Sequence, residues 1–251
     1  MLWALVSHPT VPSWRPDPLV PDATLAFTTR RGGVSAPPHD TLNLGRSTAD
    51  DPAAVEENRR RVLESLGLDP HRLATAGQVH GTRIAEVTAP GLHPDCDALV
   101  TRAAGVALAV TCADCLPILL VAPGAVAAVH CGWRGAAGGI AAVAVRALRE
   151  VAGVPAARIT AHLGPSIRAC CYAVGPEVAE RFPGCTVARE GGAVHLDLAA
   201  AARRQLLAEG LPEHAVLEVP ACTACDAHGY FSHRRDRGTT GRHWAIVARA
   251  S

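Results

Sequence analysis

The sequence predicts an α/β fold in which mixed β-sheets form the interior and helices lie outside them. A chain of 251 residues with 49% hydrophobic content can bury one large core. Short β-type runs follow one another in consecutive groups, which a simple βαβ alternation does not produce. The runs around Cys115 are apolar on both faces, as expected of central strands covered on both sides. Because no linker divides the chain, we expect a single domain over residues 1–251.

Three helices can be placed by their periodicity and their ends. The clearest has Asp51 as its N-cap, Pro52 at the first helical position and Gly67 as its stop. Alanine is abundant throughout the chain, so periodicity is a better guide here than helix propensity. The predicted helices run from Pro52 to Gly67, from near Gly135 to Val151, and from Asp197 to Glu209.

Short β-type runs occupy the segments between and around these helices. Apolar residues dominate them, and turn-forming residues bound them. The longest segment rich in Gly and Pro, Arg31–Asp40, is predicted to be a loop. The predicted strands are Thr24–Thr29, Arg83–Val87, Ala98–Thr101, Val106–Thr111, Leu116–Val121, Ala125–Val129, Ile159–Leu163, Val216–Val219 and Trp244–Ala248.

The bulk properties favour a small-molecule substrate. Lys and Arg total 24 against 23 Asp and Glu, so the net charge of +1 provides no overall field to attract nucleic acid or an anionic membrane. The N-terminus has no basic region typical of a signal peptide, and Pro117, Pro123 and Gly124 interrupt the longest apolar run. We therefore expect a cytoplasmic protein whose nine cysteines are reduced.

Three residues occur where an apolar strand-like run meets a turn: His80, Cys115 and His130. Imidazole and thiolate ligands suit Zn²⁺, and three protein ligands leave a fourth position open for water or substrate. Each residue taken alone is more often structural, so the hypothesis depends on whether the three meet.

The segment after His130 is typical of an oxyanion site. A Gly-Trp-Arg-Gly turn leads into a predicted helix, whose start carries roughly half a positive charge. Arg134 would add a bidentate donor, and Gly135 would let a phosphate approach the backbone. The alternative is that Gly138 and Gly139 only permit close helix packing. A basic run at 233–237 could also fold over a pocket.

The cysteines leave two other interpretations open. The Cys112-x-x-Cys115 and Cys222-x-x-Cys225 pairs could form a four-cysteine zinc site, although they are unusually far apart in sequence. The adjacent pair Cys170-Cys171 is interpreted as core and turn. Alternatively, Cys115 could be the nucleophile of a hydrolase or amidase, with His80 or His130 as its base.

Several sequence blocks follow one another in a characteristic order from about residue 25 to the C-terminus. The blocks include Thr29-Arg30-Arg31-Gly32-Gly33-Val34-Ser35, Leu42-Asn43-Leu44-Gly45, Gln78-Val79-His80-Gly81, Ala113-Asp114-Cys115-Leu116-Pro117, His130-Cys131-Gly132-Trp133-Arg134-Gly135 and Phe231-Ser232-His233-Arg234-Arg235. Together they resemble one known family, the YfiH/YlmD proteins. This family was once labelled multicopper polyphenol oxidase or laccase and is now described as purine nucleoside phosphorylases.

The resemblance implies a four-layer α/β/β/α fold with mixed sheets, similar to the catalytic domain of cytotoxic necrotising factor deamidases. It also implies a zinc ion held by His80, Cys115 and His130. The implied activities are phosphorolysis of adenosine, inosine, guanosine and S-methyl-5′-thioadenosine, and hydrolytic deamination of adenosine. We discount copper, because multicopper oxidases need several clustered sites rich in His. A monomer or small homo-oligomer is expected.

Given these activities, roles can be assigned to further residues. Arg59, Arg134 and the helix start at Gly135 are the candidates for binding phosphate, and Asn43 is a candidate for ribose or base. Asp114, beside Cys115, is the candidate proton carrier, or else orients a ligating His. The chain departs from the family pattern by placing Cys131 directly after His130 and by having Cys112, and either thiol could be a spare ligand.

Overall fold

A computed structural model describes residues 2–8 and 10–250, and this part of the chain contains sixteen strands and five helices. The helices are α1 (Pro52–Ser65), α2 (Trp133–Ala137), α3 (Ile140–Ala152), α4 (Pro176–Ala179) and α5 (Leu198–Ala208). The strands are β1 (Leu2–Val6), β2 (Ser13–Asp17), β3 (Ala23–Thr28), β4 (Leu73–Ala76), β5 (Ile84–Glu86), β6 (Gly91–His93), β7 (Ala98–Thr101), β8 (Ala107–Cys112), β9 (Leu116–Ala122), β10 (Ala125–Cys131), β11 (Thr160–Leu163), β12 (Ala173–Val174), β13 (Thr186–Ala188), β14 (Val194–Leu196), β15 (Val216–Glu218) and β16 (His243–Arg249).

The strands form two large sheets and one small one. The first large sheet has seven strands in the order β1-β2-β3-β16-β8-β4-β6, and the second has six in the order β15-β11-β9-β10-β7-β5. Both sheets are mixed: β4 runs parallel to β8 while β16 runs antiparallel to it, and β11 is parallel to β15 but antiparallel to β9. The prediction of mixed sheets is confirmed. A three-stranded sheet, β12-β14-β13, lies apart from them.

Strand alternation divides the interior into three apolar cores. In β8, Leu108 and Val110 face the six-stranded sheet, where they join a core that includes Leu119 of β9. Ala107 and Ala109 point the other way, into a core shared with α1. The outer face of the six-stranded sheet packs against α3 and α5 in a third core. The order of layers is therefore helix, sheet, sheet, helix, as the family resemblance implies.

Two of the three predicted helices, α1 and α5, begin where the sequence predicts. The Asp51 carboxylate accepts a hydrogen bond from the Ala53 N–H, which caps α1, and Asp197 caps α5 in the same way. The predicted second helix is instead two helices, α2 and α3. Gly139 separates them, because its φ of 83° is left-handed and cannot continue a helix.

All nine predicted strands are present, with end shifts of one or two residues. One shift matters, since His130 lies within β10 and does not follow it. The seven strands that were not predicted have two to five residues each, and they are β1, β2, β4, β6 and the strands of the three-stranded sheet. No helix in the described part of the chain is long and apolar enough to span a membrane.

Candidate active site

The three predicted metal ligands meet at one end of the six-stranded sheet. The ligand atoms of His80, Cys115 and His130 all lie within 4.8 Å of one another, and the two imidazole rings are edge to face with centroids 4.9 Å apart. Strand register explains part of this. Because β9 and β10 are antiparallel with His130 opposite Pro117, Cys115 lies beside the end of β10. His80 arrives from the loop that follows β4.

A buried carboxylate that was not predicted, Asp97, organises two of these ligands. Its Oδ1 atom accepts hydrogen bonds from His130 Nδ1 and from the His80 backbone N–H, both at 2.9 Å. Its Oδ2 atom accepts from the Gly81 N–H at 2.7 Å and the Val79 N–H at 3.2 Å. With Nδ1 of His130 occupied in this way, Nε2 is the nitrogen available to a metal.

The backbone is shaped to bring the ligands close together. A Cβ atom added to Gly132 would lie 3.0 Å from His80 Cδ2 and 3.2 Å from Cys115 Sγ, so a side chain there would crowd the ligand group. Three residues other than glycine adopt left-handed φ angles there, Gln78 at 57°, His80 at 62° and Asp114 at 89°. The space, the mixed nitrogen and sulfur donors and the orienting carboxylate all fit Zn²⁺ with one open position.

Electrostatics favour the charged form of the thiol ligand. Burial would raise the pKa of Cys115, but the imidazoles of His130 and His80 outweigh this effect and lower the pKa to about 6. Burial would likewise lower the pKa of His130, but the Cys115 thiolate and Asp97 raise the pKa to about 9. The group is therefore prepared to present a thiolate, the form that binds metals.

The ligands line a cavity of about 720 Å³ with a strongly cationic wall. Among the described residues, Asp114 is the one acidic side chain in the lining. Two aromatic rings, Trp133 and Tyr172, also face the cavity. The basic residues in the lining, apart from the two ligand histidines, are Arg46, Arg59, Arg134, His233, Arg234 and Arg242.

Arg59 is the buried cation of this wall. It is 5% exposed, its guanidinium stacks over the Trp244 ring at 4.7 Å, and its nearest carboxylate oxygen, in Glu56, is 3.8 Å away. That carboxylate is already bound at two oxygens by Arg46. Burial lowers the pKa of Arg59 to about 10. A guanidinium so poorly compensated by the protein is suited to an anionic ligand.

Of the next two predicted site residues, Arg134 lines the cavity and Gly135 does not. Arg134 lies at the mouth of the cavity, exposed and stacked on Trp133 at 4.4 Å. Gly135 does not line the cavity. A Cβ atom there would lie 2.9 Å from the Gly81 carbonyl oxygen, so the glycine serves the packing of α2 on the His80 loop.

Asn43 lies in the interior and stabilises neighbouring backbone through hydrogen bonds. It is fully buried, and its amide oxygen accepts from the backbone N–H groups of Gly45 at 3.0 Å and Arg242 at 2.9 Å. Its amide nitrogen donates to Thr48 and Asp50. Asn43 does not line the cavity and so reaches it only through Arg242. This corrects the expectation that it touches ribose or base.

Asp114 lines the cavity but is held by two neighbours. Its Oδ1 atom accepts from Thr223 Oγ1 and its Oδ2 atom from the Arg234 N–H, both at 2.7 Å. It therefore fastens the 233–237 loop over the pocket, in the way the sequence suggested for that basic run. The orienting role toward a ligand histidine, considered for Asp114, belongs to Asp97.

The two additional thiols near the site are outside the ligand group. Cys131 follows His130 in β10, so its side chain points to the opposite face of the sheet, into the core under α3. Cys112 lines the cavity, but it is not among the residues whose ligand atoms converge. Burial raises the pKa of both thiols well above the usual range, which keeps them neutral.

The cysteine pairs combine differently from the four-cysteine arrangement considered above. Cys115 lies with His80 and His130. In the described structure, therefore, Cys112 and Cys115 do not form a four-cysteine site with Cys222 and Cys225. Instead Cys222 and Cys225 converge with Cys170 and Cys171. The interpretation of the adjacent pair as core is wrong, because Cys170 is exposed and Cys171 half-buried.

Comparison with known proteins adds independent information. Residues 24–250 match the family described as "Multi-copper polyphenol oxidoreductase laccase". The chain is 44% identical over 229 residues to a purine nucleoside phosphorylase of Streptomyces coelicolor, covering 88% of this chain and 93% of that protein. It is 39% identical to the purine nucleoside phosphorylase YlmD of Geobacillus stearothermophilus, covering 90% of each.

Two solved structures share the fold. The crystal structure of YlmD from Geobacillus stearothermophilus superposes with a TM-score of 0.90 at 38% identity, covering 95% of this chain and 96% of that one. The Bacillus licheniformis protein YfiH gives a TM-score of 0.90 at 31% identity, with 98% of each chain covered. The predicted fold class is thereby confirmed.

Proposed function

The chain belongs to the YlmD/YfiH family, and we propose that it is a zinc-dependent purine nucleoside phosphorylase with adenosine deaminase activity. One observation carries the proposal: a His-Cys-His ligand group with an open side lies on the wall of a cavity otherwise lined by arginines. Its substrates would be inorganic phosphate and adenosine, inosine, guanosine or S-methyl-5′-thioadenosine.

The arginines of the cavity would bind the phosphate that phosphorolysis requires. A phosphate oxygen attacks C1′ of the ribose, the bond from C1′ to the purine N9 breaks, and N9 takes a proton as the base leaves. Arg59 offers a buried, undercompensated guanidinium, and Arg134 and Arg242 add cationic groups in the same lining. The excess positive charge attracts phosphate and stabilises it against an electron-poor ribose carbon.

The size and chemistry of the remaining wall suit a purine nucleoside. A volume of about 720 Å³ lies within the range of ~300–1,000 Å³ usual for small-molecule pockets. Trp133 and Tyr172 provide aromatic faces, each now covered by an arginine, at 4.4 Å for Arg134 and 5.2 Å for Arg234. A purine ring could occupy these surfaces, because stacking on an aromatic ring tolerates any base.

Zn²⁺ bound by His80, Cys115 and His130 would supply Lewis-acid activation at its fourth coordination position. The protein's own part is orientation and proton transfer. Asp97 fixes the ring of His130, and Asp114 is our candidate for moving the proton to or from the purine, since each of its oxygens keeps a lone pair beyond the single hydrogen bond that it accepts.

A copper-dependent oxidase is the weaker alternative, despite the wording of the family description. Multicopper oxidases need clustered sites rich in histidine. Among the described residues, one candidate group has two histidines and a cysteine, and the other has only cysteines. Neither composition matches that requirement.

A cysteine-dependent hydrolase or amidase is favoured by one specific observation. The side chains are arranged as in a catalytic triad: the carboxylate of Asp97 orients His130, which would be the base for the nucleophile Cys115. The two imidazoles also lower the pKa of Cys115 to about 6. The same geometry also serves metal binding, and His80 has no role in such a triad. Chelators separate the two hypotheses, because a cysteine nucleophile would keep its activity without metal.

The decisive assay incubates the protein with inosine in the presence and absence of inorganic phosphate. We expect hypoxanthine and ribose 1-phosphate only with phosphate, and we expect His80→Ala and prior chelation both to abolish product. A parallel incubation with adenosine should yield inosine, and Asp114→Asn should slow that step. The proposal fails if wild-type protein with a full complement of zinc releases no base when phosphate is added.

A further inference from the structure

A second group of potential ligands lies outside the active site. Cys170 and Cys171 lie in the segment between β11 and β12, and Cys222 and Cys225 in the loop after β15. The four Sγ atoms all lie within 4.8 Å of one another. We propose that these thiolates bind a second zinc ion in a closed, structural site that braces one wall of the cavity.

The spacing of the sulfur atoms suits a shared metal better than paired disulfides. Cys225 Sγ is 3.4 Å from Cys170 Sγ and 3.3 Å from Cys171 Sγ. Four sulfurs placed tetrahedrally at about 2.3 Å from zinc would be about 3.8 Å apart. A disulfide needs about 2.05 Å and joins sulfurs in pairs, whereas here one sulfur, that of Cys225, is equally close to two others.

The Cys222–Cys225 loop is a tight turn of the kind that ends in a zinc ligand pair. The Asp226 N–H donates to the Cys222 carbonyl at 3.3 Å, and the backbone N–H groups of Ala224, Cys225 and Arg168 are directed to Cys222 Sγ. Backbone amides aimed at a sulfur favour a thiolate there.

Arginine side chains contact both loops that carry the four cysteines. Arg189 donates to the carbonyl of Ala169 at 3.2 Å, directly before Cys170. On the other loop, Arg30 donates to the carbonyl of Ala227 at 2.9 Å, but its charge is already paired with Asp40. Four thiolates around Zn²⁺ carry a net charge of −2, and Arg189 would offset part of it.

The position of the group explains what a metal there would do. Tyr172 follows Cys171 and lines the cavity, while Thr223 follows Cys222 and donates to Asp114 at 2.7 Å. One ion would therefore join a loop that carries part of the cavity wall to a loop that holds Asp114 in that wall. Because four protein thiolates leave no open position, the ion would have no part in the reaction itself.

The test is the number and coordination of zinc ions in the full chain. Protein produced with ample zinc should contain two zinc ions per chain by elemental analysis. His80→Ala/Cys115→Ser and Cys222→Ser/Cys225→Ser should each retain one. Cys185→Ser, which alters a buried cysteine outside both groups, is the matched control and should retain two.

Coordination provides a readout that does not depend on folding of the Cys222→Ser/Cys225→Ser variant. X-ray absorption on the His80→Ala/Cys115→Ser protein should show the remaining zinc with sulfur neighbours only, at about 2.3 Å. A His80→Ala/Cys115→Ser protein that contains no zinc would overturn the proposal. So would a disulfide among these cysteines in the untreated protein, or iron with the visible absorption of an iron–sulfur cluster in place of zinc.

Discussion

Asp97 and His130 are joined twice: the carboxylate Oδ1 accepts from His130 Nδ1 at 2.9 Å, and the Asp97 carbonyl accepts from the His130 N–H at 2.7 Å. The same carboxylate holds the His80 loop through three backbone amides. One fully buried side chain thus sets the ring orientation of one candidate ligand and the backbone position of another.

Asp97→Asn should weaken zinc binding by about 10–100-fold, the usual cost of removing a carboxylate that orients a ligating histidine. The amide keeps the shape but loses the charge, and its nitrogen cannot accept from the loop amides. Competition with a chromophoric chelator would measure the change. Asp40→Asn, in a half-exposed ion pair with Arg30, is the control, and equal affinities in the two variants would contradict the role of Asp97.

Gly132→Ala should lower zinc occupancy by displacing two ligands at once. The added methyl would lie 3.0 Å from His80 Cδ2 and 3.2 Å from Cys115 Sγ, and overpacking of this kind costs about 1–3 kcal/mol. Gly81→Ala is the matched control in the same region, because its methyl would make an ordinary contact of 3.5 Å with Asp97. Metal content after dialysis distinguishes them, and full occupancy in Gly132→Ala would refute the crowding argument.

The convergence of the three candidate ligands could be anticipated from the sequence because each carries a local signal. His80, Cys115 and His130 lie where apolar runs end, and strand pairing then brings these ends together. Asp97 carries no such signal, since an acid in a loop before a strand is usually solvated. Its burial depends on β5 and β7 pairing in parallel, which places the Arg83 carbonyl and the His80 loop around it.

Other features depend on contacts between segments distant in sequence. The four-cysteine group requires the loops after β11 and β15 to meet, and this follows from the parallel pairing of those two strands. The break between α2 and α3 depends on the left-handed φ of 83° at Gly139, and Gly138 before it lets the chain approach Thr82 closely. Helical periodicity continues across this point, so sequence alone could not predict two helices.

His162 should make the protein sensitive to mild acid. It is fully buried, and burial lowers the pKa to about 4 from an ordinary 6.5. Between these values the unfolded chain binds a proton that the folded chain does not, so stability is complete above about pH 6.5 and falls as the pH drops toward 4. The loss is about 1.4 kcal/mol per pH unit in this window.

His162→Gln should remove that contribution. We expect the slope of unfolding free energy against pH, measured with urea at several pH values between 4 and 6.5, to decrease by about one proton relative to wild type. His71→Gln, an exposed histidine, should leave the slope unchanged. Identical slopes for wild type and His162→Gln would mean that this ring is not held neutral.

Cys131→Ala should preserve zinc binding, although Cys131 is adjacent to the ligand His130. Its side chain packs in the core on the opposite face of β10, so the expected cost is a small cavity, about 1 kcal/mol of stability. Cys115→Ala, in contrast, should lose the active-site zinc. Elemental analysis of the two variants is sufficient, and loss of that zinc from Cys131→Ala would show that the thiol takes part in the site.

Arg59→Gln should impair the use of phosphate more than that of nucleoside. Replacing a buried guanidinium that binds an anion removes charged hydrogen bonds worth about 1.5–3 kcal/mol, or roughly 10–150-fold in kcat/KM for phosphate. The substitution keeps an amide over the Trp244 ring, which limits damage to the core beneath it.

Arg60→Gln, on the exposed face of the same helix, is the control and should change kcat/KM for phosphate less than twofold. Steady-state kinetics with phosphate varied at saturating inosine, and then the reverse, separate the two substrates. A fall in kcat/KM that is equal for both substrates would indicate that Arg59 supports the fold of the cavity and does not bind phosphate.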